Sequence, residues 1–254
     1  MSAARRSPLA PAALGVGSLL VVLLVVEALT RAHVINPFVV PLPSAVLAAI
    51  PRVLAEENMA ARFWQTLQEA IWASVLVAVV GIGVGIALHR FQTLRLATET
   101  WVAALAAAPI VLTYPLFLVI FGRSAMTIVM IGFVAGLPPV ILKTLEGLQG
   151  TRRVLLEVGR SFRLRQAQLF RMILLPAALP SIFVGLRLGL IFALINIVGV
   201  EFLINFGGLG QLINELAERY DLPATYAAIL FVVLVSVVFF VLMERVERWL
   251  RPGT

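Results

Sequence analysis

The chain has 254 residues, 61% of them hydrophobic and only 13% charged, with 20 Lys plus Arg against 13 Asp plus Glu. Soluble domains carry about 25% charged residues, so this much apolar surface calls for a bilayer; a basic excess also suits nucleic acid, but nucleic-acid binders are polar, and none is expected as a partner. The absence of cysteine excludes disulfides, thiolate metal sites and a Cys nucleophile.

A helix needs about 20 apolar residues to cross the hydrocarbon layer. Uncharged runs such as Ala70–Leu88 and Leu222–Met243 approach that length. Taken in chain order, the runs predict six spans at roughly 8–28, 66–88, 100–121, 124–143, 179–201 and 222–243. They are continuous rather than alternating, and longer than the ~10 residues of a barrel strand. The fold class is therefore all-α: a polytopic membrane protein with one transmembrane domain over 1–254. Arg5 and Arg6 before the first run also fit a signal peptide. The length of that run and the lack of a small-residue cleavage site before Arg31 favour a retained helix.

With the N-terminus in the cytoplasm, fourteen of the twenty basic residues fall on cytoplasmic segments and five outside, with Arg187 inside a span. Short-loop Lys and Arg stay inside, so both termini are expected in the cytoplasm. Trp64, Trp101 and Trp249 lie at or near span ends, where amphipathic aromatics settle.

The connection between spans four and five, 144–176, is long and basic. Within it Leu155, Val158, Phe162, Leu169 and Ile173 recur at helical spacing, and Arg160, Arg163 and Arg171 fall off that stripe. A short amphipathic cytoplasmic helix is expected, with Thr151 as a capping candidate. Two uses fit it: contact with anionic headgroups or docking of a cytoplasmic partner.

Glu157 through Arg163, followed by Phe170 through Pro176, resembles the cytoplasmic signature loop of binding-protein-dependent ABC importer permeases. That loop reads Glu-Ala-Ala, three residues, Gly, nine residues, Ile-x-Leu-Pro. Glu157, Ile173, Leu175 and Pro176 match it. Val158 and Gly159 stand for the two alanines, and Arg163 stands for the glycine. Glycine there permits a tight bend, so either the bend is missing or Arg163 takes a costlier backbone conformation. Pro41 through Ser44, Pro115 through Gly122, Leu175 through Pro180, Gly185 through Arg187, Glu201 and Gly207 through Gly210 are similar to the nitrate, sulfonate and taurine branch of these permeases.

The resemblance implies a pathway made by two permease subunits, here a homodimer in the inner membrane of a bacterium. It implies two ABC ATPase subunits below, which carry ATP and Mg, and a periplasmic or lipid-anchored solute-binding protein above. Glu157, Val158, Gly159, Phe162, Arg163, Ile173, Leu175 and Pro176 become the coupling residues, moved when nucleotide closes the ATPase pair. The sequence has no Walker loop, so no cofactor and no ATP hydrolysis are expected in this chain.

Polar residues inside spans are costly and often functional. Tyr114, Arg187, Asn196 and Glu201 are the pathway candidates. Each has a plainer use: packing for Tyr114, snorkelling for Arg187, an interhelical hydrogen bond for Asn196, and an outer-end ion pair or water contact for Glu201. Gly81, Gly83 and Gly85 read as close-approach positions, and Gly207, Gly208 and Gly210 as a helix break. His33 and His89 are too far apart for a shared metal. The alternative function is an ion-coupled secondary transporter. It would show inverted halves and buried carboxylates, yet no repeat is visible and only Glu27 and Glu201 approach a span. A membrane-embedded enzyme would want a nucleophile with a base, which two isolated histidines do not supply.

Overall fold

The computed structural model describes residues 9–250. Among them there is no strand. The helices are α1 (Leu9–Arg31), α2 (Pro43–Glu56), α3 (Met59–Arg90), α4 (Gln92–Ala107), α5 (Tyr114–Phe121), α6 (Ala125–Gln149), α7 (Arg153–Ser161), α8 (Gln166–Leu169), α9 (Leu175–Ile204), α10 (Gly208–Glu218) and α11 (Leu222–Leu250). A 3-10 turn over Ile110–Thr113 precedes α5, and a π-turn over Phe170–Leu174 joins α8 to α9.

Among the described residues five stretches are long and apolar enough to cross a membrane: Ala13–Arg31, α3, α6, Gln166–Ile204 and Leu222–Arg245. The span expected over 100–121 differs from a straight crossing. It is a pair, α4 with Ile110–Phe121, bent by 93°. The cause is local. Ala108 precedes a proline and is extended at ψ 137°, as the clash with the proline ring requires. Pro109 cannot donate to a helix, and Pro115 sits in the first turn of α5, where a missing N–H costs nothing. Counting the bent pair as one crossing gives six. Besides the loop helices α7 and α8, two helices fall between the expected spans: α2, opened by Pro43, and α10, at the glycine-rich break.

Internal contacts divide the chain into two compact units. The first comprises 1–59 and 213–231. In it the Glu27 carboxylate of α1 accepts hydrogen bonds from the backbone N–H (3.0 Å) and hydroxyl (2.7 Å) of Ser44. A carboxylate thereby caps α2, whose first N–H groups have no helical partner. Arg31 pairs with Glu27 at 2.6 Å. Arg52 pairs with Asp221 at 2.5 Å, and the Asp221 carboxylate also accepts the Ala224 N–H at 3.2 Å at the start of α11. The hydrogen bond that Arg52 donates to Asp221, then the charge of Asp221, lift the guanidinium above its ordinary value.

The second unit comprises 60–212 and 232–254. Its backbone is the seam between α6 and α9. A Cβ on Gly136 would lie 2.5 Å from the Gly189 carbonyl oxygen, and one on Gly132 2.7 Å from Ile197. Only glycine lets these two helices come so close. Ile128, Ile131, Ala193 and Ile197 fill the buried core beside the seam. Of the three glycines on α3, Gly81 and Gly85 abut Val140 and Thr144 of α6, whereas Gly83 faces open space.

Candidate functional site

The loop between α6 and α9 carries the signature residues. α7 lies outside both flanking membrane stretches. It ends in a bend, not in a continued helix. Leu164 N–H bonds to the Gly159 carbonyl (3.1 Å) and Arg163 N–H to the Arg160 carbonyl (2.8 Å). This crossed pair satisfies the last carbonyls of α7 and requires a left-handed residue after the cap. Arg163 supplies it, at φ +52°. The bend that glycine gives the family is therefore present, and an L residue holds it at a conformational cost.

The five-residue apolar stripe expected across this loop divides in two. Val158 and Phe162 are 45% and 78% exposed, and Val154 and Leu155 beside them 65% and 43%. Leu169 is buried and Ile173 half-buried. These two turn inward, because a Cβ on Gly159 would meet Leu169 Cδ1 at 2.5 Å and Ile173 Cδ1 at 2.6 Å. Gly159 is thus the floor on which the second half of the signature packs. Glu157 is exposed beside the apolar face. Thr151 does not cap α7: Arg152 occupies the cap position without a side-chain bond, and the Thr151 hydroxyl is buried without a partner. Pro176 explains the π-turn before it. A proline in the second helical position of α9 cannot donate and crowds the preceding turn, and the chain widens to i→i+5 bonding there, with Leu175 N–H bonded to the Phe170 carbonyl.

Three of the four intramembrane candidates are scattered. Tyr114 opens α5 and packs on the core beside Ile110. The Arg187 guanidinium sits 5.6 Å from the centre of the Phe240 ring, a cation–π contact. The Asn196 side chain bonds the carbonyl of Phe192 one turn back at 2.9 Å, not a neighbouring helix. Phe192 and Ile195 on this part of α9 are exposed at 41% and 63%.

Glu201 differs from the water-facing or ion-paired group expected at a span end. It is fully buried, at 0% exposure. α9 ends three residues later, and Asn205 is left-handed at φ +56°. Arg123 donates a hydrogen bond to the Asn205 carbonyl. Gly207 and Gly208 then turn the chain at φ +138° and +78°. This returns the start of α10 to the side of Glu201. The carboxylate accepts the Gly210 N–H at 2.8 Å and the Thr66 hydroxyl of α3 at 2.7 Å. The same hydroxyl accepts the Leu209 N–H at 2.9 Å. Glycine is required at 208, where a Cβ would stand 2.1 Å from Glu201 Oε1.

Glu69 completes this cluster and was not singled out by sequence. It is 3% exposed and a close neighbour of Glu201, and its Oε1 accepts from Gln65 Nε2 at 3.3 Å. The uncharged run stops at Ala70, so Glu69 is passed over although the expected span over 66–88 contains it; α3 begins at Met59. The available signal is the spacing of Gln65, Thr66 and Glu69 on one face of an otherwise apolar helix.

Comparison with known proteins gives a consistent result. The model of the family described as "Binding-protein-dependent transport system inner membrane component" matches residues 78–252. The taurine transport system permease protein TauC of Escherichia coli is 26% identical over 94% of this chain and 89% of its own. The riboflavin transport system permease protein RibX of Chloroflexus aurantiacus is 28% identical over 76% of each chain. The fold is similar to a chain of the inward-facing MetNI methionine ABC transporter, with a TM-score of 0.67 at 19% identity, over 76% of this chain and 96% of that one.

Proposed function

Because the chain belongs to the binding-protein-dependent transport system inner membrane component family and is the permease of an ABC importer, we propose that two copies of it form the pathway for a small solute, nitrate-, sulfonate- or taurine-like or of vitamin-precursor kind. Two ATPase subunits then dock, one on α7 of each copy, and a solute-binding protein delivers cargo from the other side. The single observation that carries the docking surface is α7 itself: an amphipathic helix outside the membrane stretches whose apolar residues, Phe162 foremost, are exposed. An exposed aromatic on such a face is a common interface anchor.

In this reading Glu157, Val158, Phe162 and Arg163 contact the ATPase. Gly159, Ile173, Leu175 and Pro176 transmit its motion, since they join α7 to the foot of α9. ATP and Mg belong to the partner. α7 and both termini face the cytoplasm, in keeping with the basic-residue distribution. Tyr114, Arg187 and Asn196 line or flank the pathway, while Glu201 shapes one end of it from within the packing. The relatives named for taurine and riboflavin support a solute of sulfonate or vitamin-precursor kind, selected by the receptor.

The test is uptake by proteoliposomes holding this chain, the ATPase and the receptor. Uptake is expected to require ATP and to vanish when the ATPase is omitted. Uptake that continues without the ATPase and follows an ion gradient would overturn the reading in favour of an ion-coupled carrier. With Cys introduced at exposed Ala167 in this cysteine-free chain, an impermeant thiol reagent is expected to label only opened cells; labelling of intact cells would reverse the orientation.

A further inference from the structure

We propose that the cavity between the end of α3 and the α8–π-turn segment is a binding site for the phosphate of an anionic phospholipid, with phosphatidylglycerol the simplest ligand of that class.

The cavity measures about 530 Å³, within the ~300–1,000 Å³ over which small-molecule sites are found. All of its lining belongs to the second compact unit. That lining is divided by chemistry. Ile86 of α3, with Phe170 and Leu174 of the π-turn, forms an apolar floor, packed on the buried cluster of Leu148, Ala178 and Ile182. His89 and Arg90 of α3 and Gln166 of α8 supply the polar wall. Among the described residues no Asp or Glu lines the cavity, and no residue of α7 does. The site is therefore separate from the exposed face that carries Phe162.

Two stretches fit to cross a membrane end at this cavity. One closes at Arg90 and the other opens at Gln166, so the last residue of the first and the first residue of the second line the same space. The polar wall thus stands at the boundary between hydrocarbon and water, which is the level of lipid phosphate, and Ile86 lies one turn inside it. Val75 and Val79, exposed at 47% and 70%, share the face of α3 that carries Ile86 by helical spacing. They give acyl chains an apolar track along the helix. A phospholipid meets both halves of this lining at once, whereas a free anion leaves the floor unused.

The polar groups of the wall have no use within the chain. The His89 ring makes no hydrogen bond among the described residues, and its Nδ1 is enclosed without a partner. An enclosed N–H with nothing to donate to is costly, so the hydrogen of the neutral ring belongs on Nε2. The imidazole is then a donor without carrying charge. Arg90 is exposed and forms no ion pair among the described residues, and Gln166 adds an amide donor from the other element. Basic residues in the last turn of α3 also suit its macrodipole, but that use requires neither a cavity nor an imidazole in its wall. Guanidinium–phosphate hydrogen bonds are charge-assisted and strong, and basic pockets between spans are a recurrent kind of anionic-headgroup site. A phosphate held here bridges α3 to the segment just before Pro176, so an occupied site braces the foot of α9.

The test uses the full chain carrying Ala167→Cys, a lining position in a sequence with no other cysteine, in nanodiscs. Reaction with uncharged N-ethylmaleimide is expected to be several-fold slower in discs containing phosphatidylglycerol than in discs of phosphatidylcholine alone. Ser161→Cys, on exposed α7, is expected to react equally in both. Arg90→Gln is expected to raise the phosphatidylglycerol content needed for protection about fivefold, the worth of one basic group at an anionic surface. Native mass spectrometry is expected to show phosphatidylglycerol retained on the unaltered chain and less of it on Arg90→Gln. If Arg90→Gln does not fold, the rates in the two kinds of disc and the lipid retained by the unaltered chain decide the matter alone. Equal rates for Ala167→Cys in both discs overturn the proposal, as does equal slowing of Ser161→Cys, which marks a general surface effect. Protection by inorganic phosphate in phosphatidylcholine discs overturns it in favour of a free anion. Protection by the ATPase subunit, with none from phosphatidylglycerol, overturns it in favour of an acidic side chain of that partner.

Discussion

The α9–α10 break and the α6–α9 loop use the same devices to opposite ends. Each has a glycine under a packed side chain, and each has a non-glycine residue in left-handed conformation, Asn205 in one and Arg163 in the other. At the break every device points inward: Thr66 and the α10 N–H groups converge on Glu201. In the loop only Gly159, Leu169 and Ile173 point inward, while Phe162 and its neighbours on α7 face outward. A polar group that is satisfied within the chain serves the chain's own stability. An apolar group left exposed outside the membrane stretches serves a surface that is not in the chain. The comparison can be broken by substitutions that disturb folding at one site and association at the other.

The largest effect is expected at the break. Gly208→Ala places a Cβ 2.1 Å from Glu201 Oε1 and forces an L residue to φ +78°. The left-handed conformation costs about 1–2 kcal/mol, and overpacking a tight site a further 1–3 kcal/mol. A loss of about 3 kcal/mol is expected, read as lower thermal stability in detergent. If Gly208→Ala folds as stably as the unaltered chain, the break is not the tightly wired element described here.

Next comes Phe162→Ala. Phe162 touches little within the chain, being 78% exposed, so stability and membrane insertion should not change. ATPase association should weaken by about 2 kcal/mol, as loss of an aromatic anchor commonly does, or roughly thirtyfold. Titration of the ATPase against the purified chain measures it. Unchanged association, with Glu157→Ala added as well, would remove α7 from the docking surface.

Why one site was legible in sequence and the other only half so follows from these residues. Glu157, Ile173, Leu175 and Pro176 are recognised by local spacing, and the spans by composition, so both emerge without knowledge of tertiary contacts. Glu69 meets Glu201 across 132 positions of chain, a contact that no local pattern contains. The break in the third expected span was written in Pro109 and Pro115, but length and hydropathy alone do not convert prolines into a 93° bend. The stripe through Leu155 and Ile173 kept its spacing across Arg163, although the bend there turns its two halves to different faces. Periodicity assumes one continuous helix, and a left-handed residue ends that assumption.

The smallest and most discriminating effect is expected at Arg163. Its backbone is at φ +52°, where glycine is at ease, so Arg163→Gly should relieve strain and raise the stability of the chain by up to about 1 kcal/mol. The bend itself is unchanged, because its two hydrogen bonds come from the Arg163 and Leu164 N–H groups, which glycine preserves at 163. The side chain is another matter. Arg163 is exposed and forms no ion pair among the described residues, which leaves its charge available to a partner beside Phe162. Exposed ion pairs are worth about 0.2–1 kcal/mol, so ATPase association should weaken by up to about fivefold at low salt. The difference should disappear at high salt, where such pairs are screened. A more stable chain that binds the ATPase more weakly, with a shallower salt dependence, shows that arginine is kept here for its partner at the expense of the fold. Equal binding at every salt concentration would instead show that Arg163 is tolerated strain, and that docking at this bend is carried by its apolar residues alone.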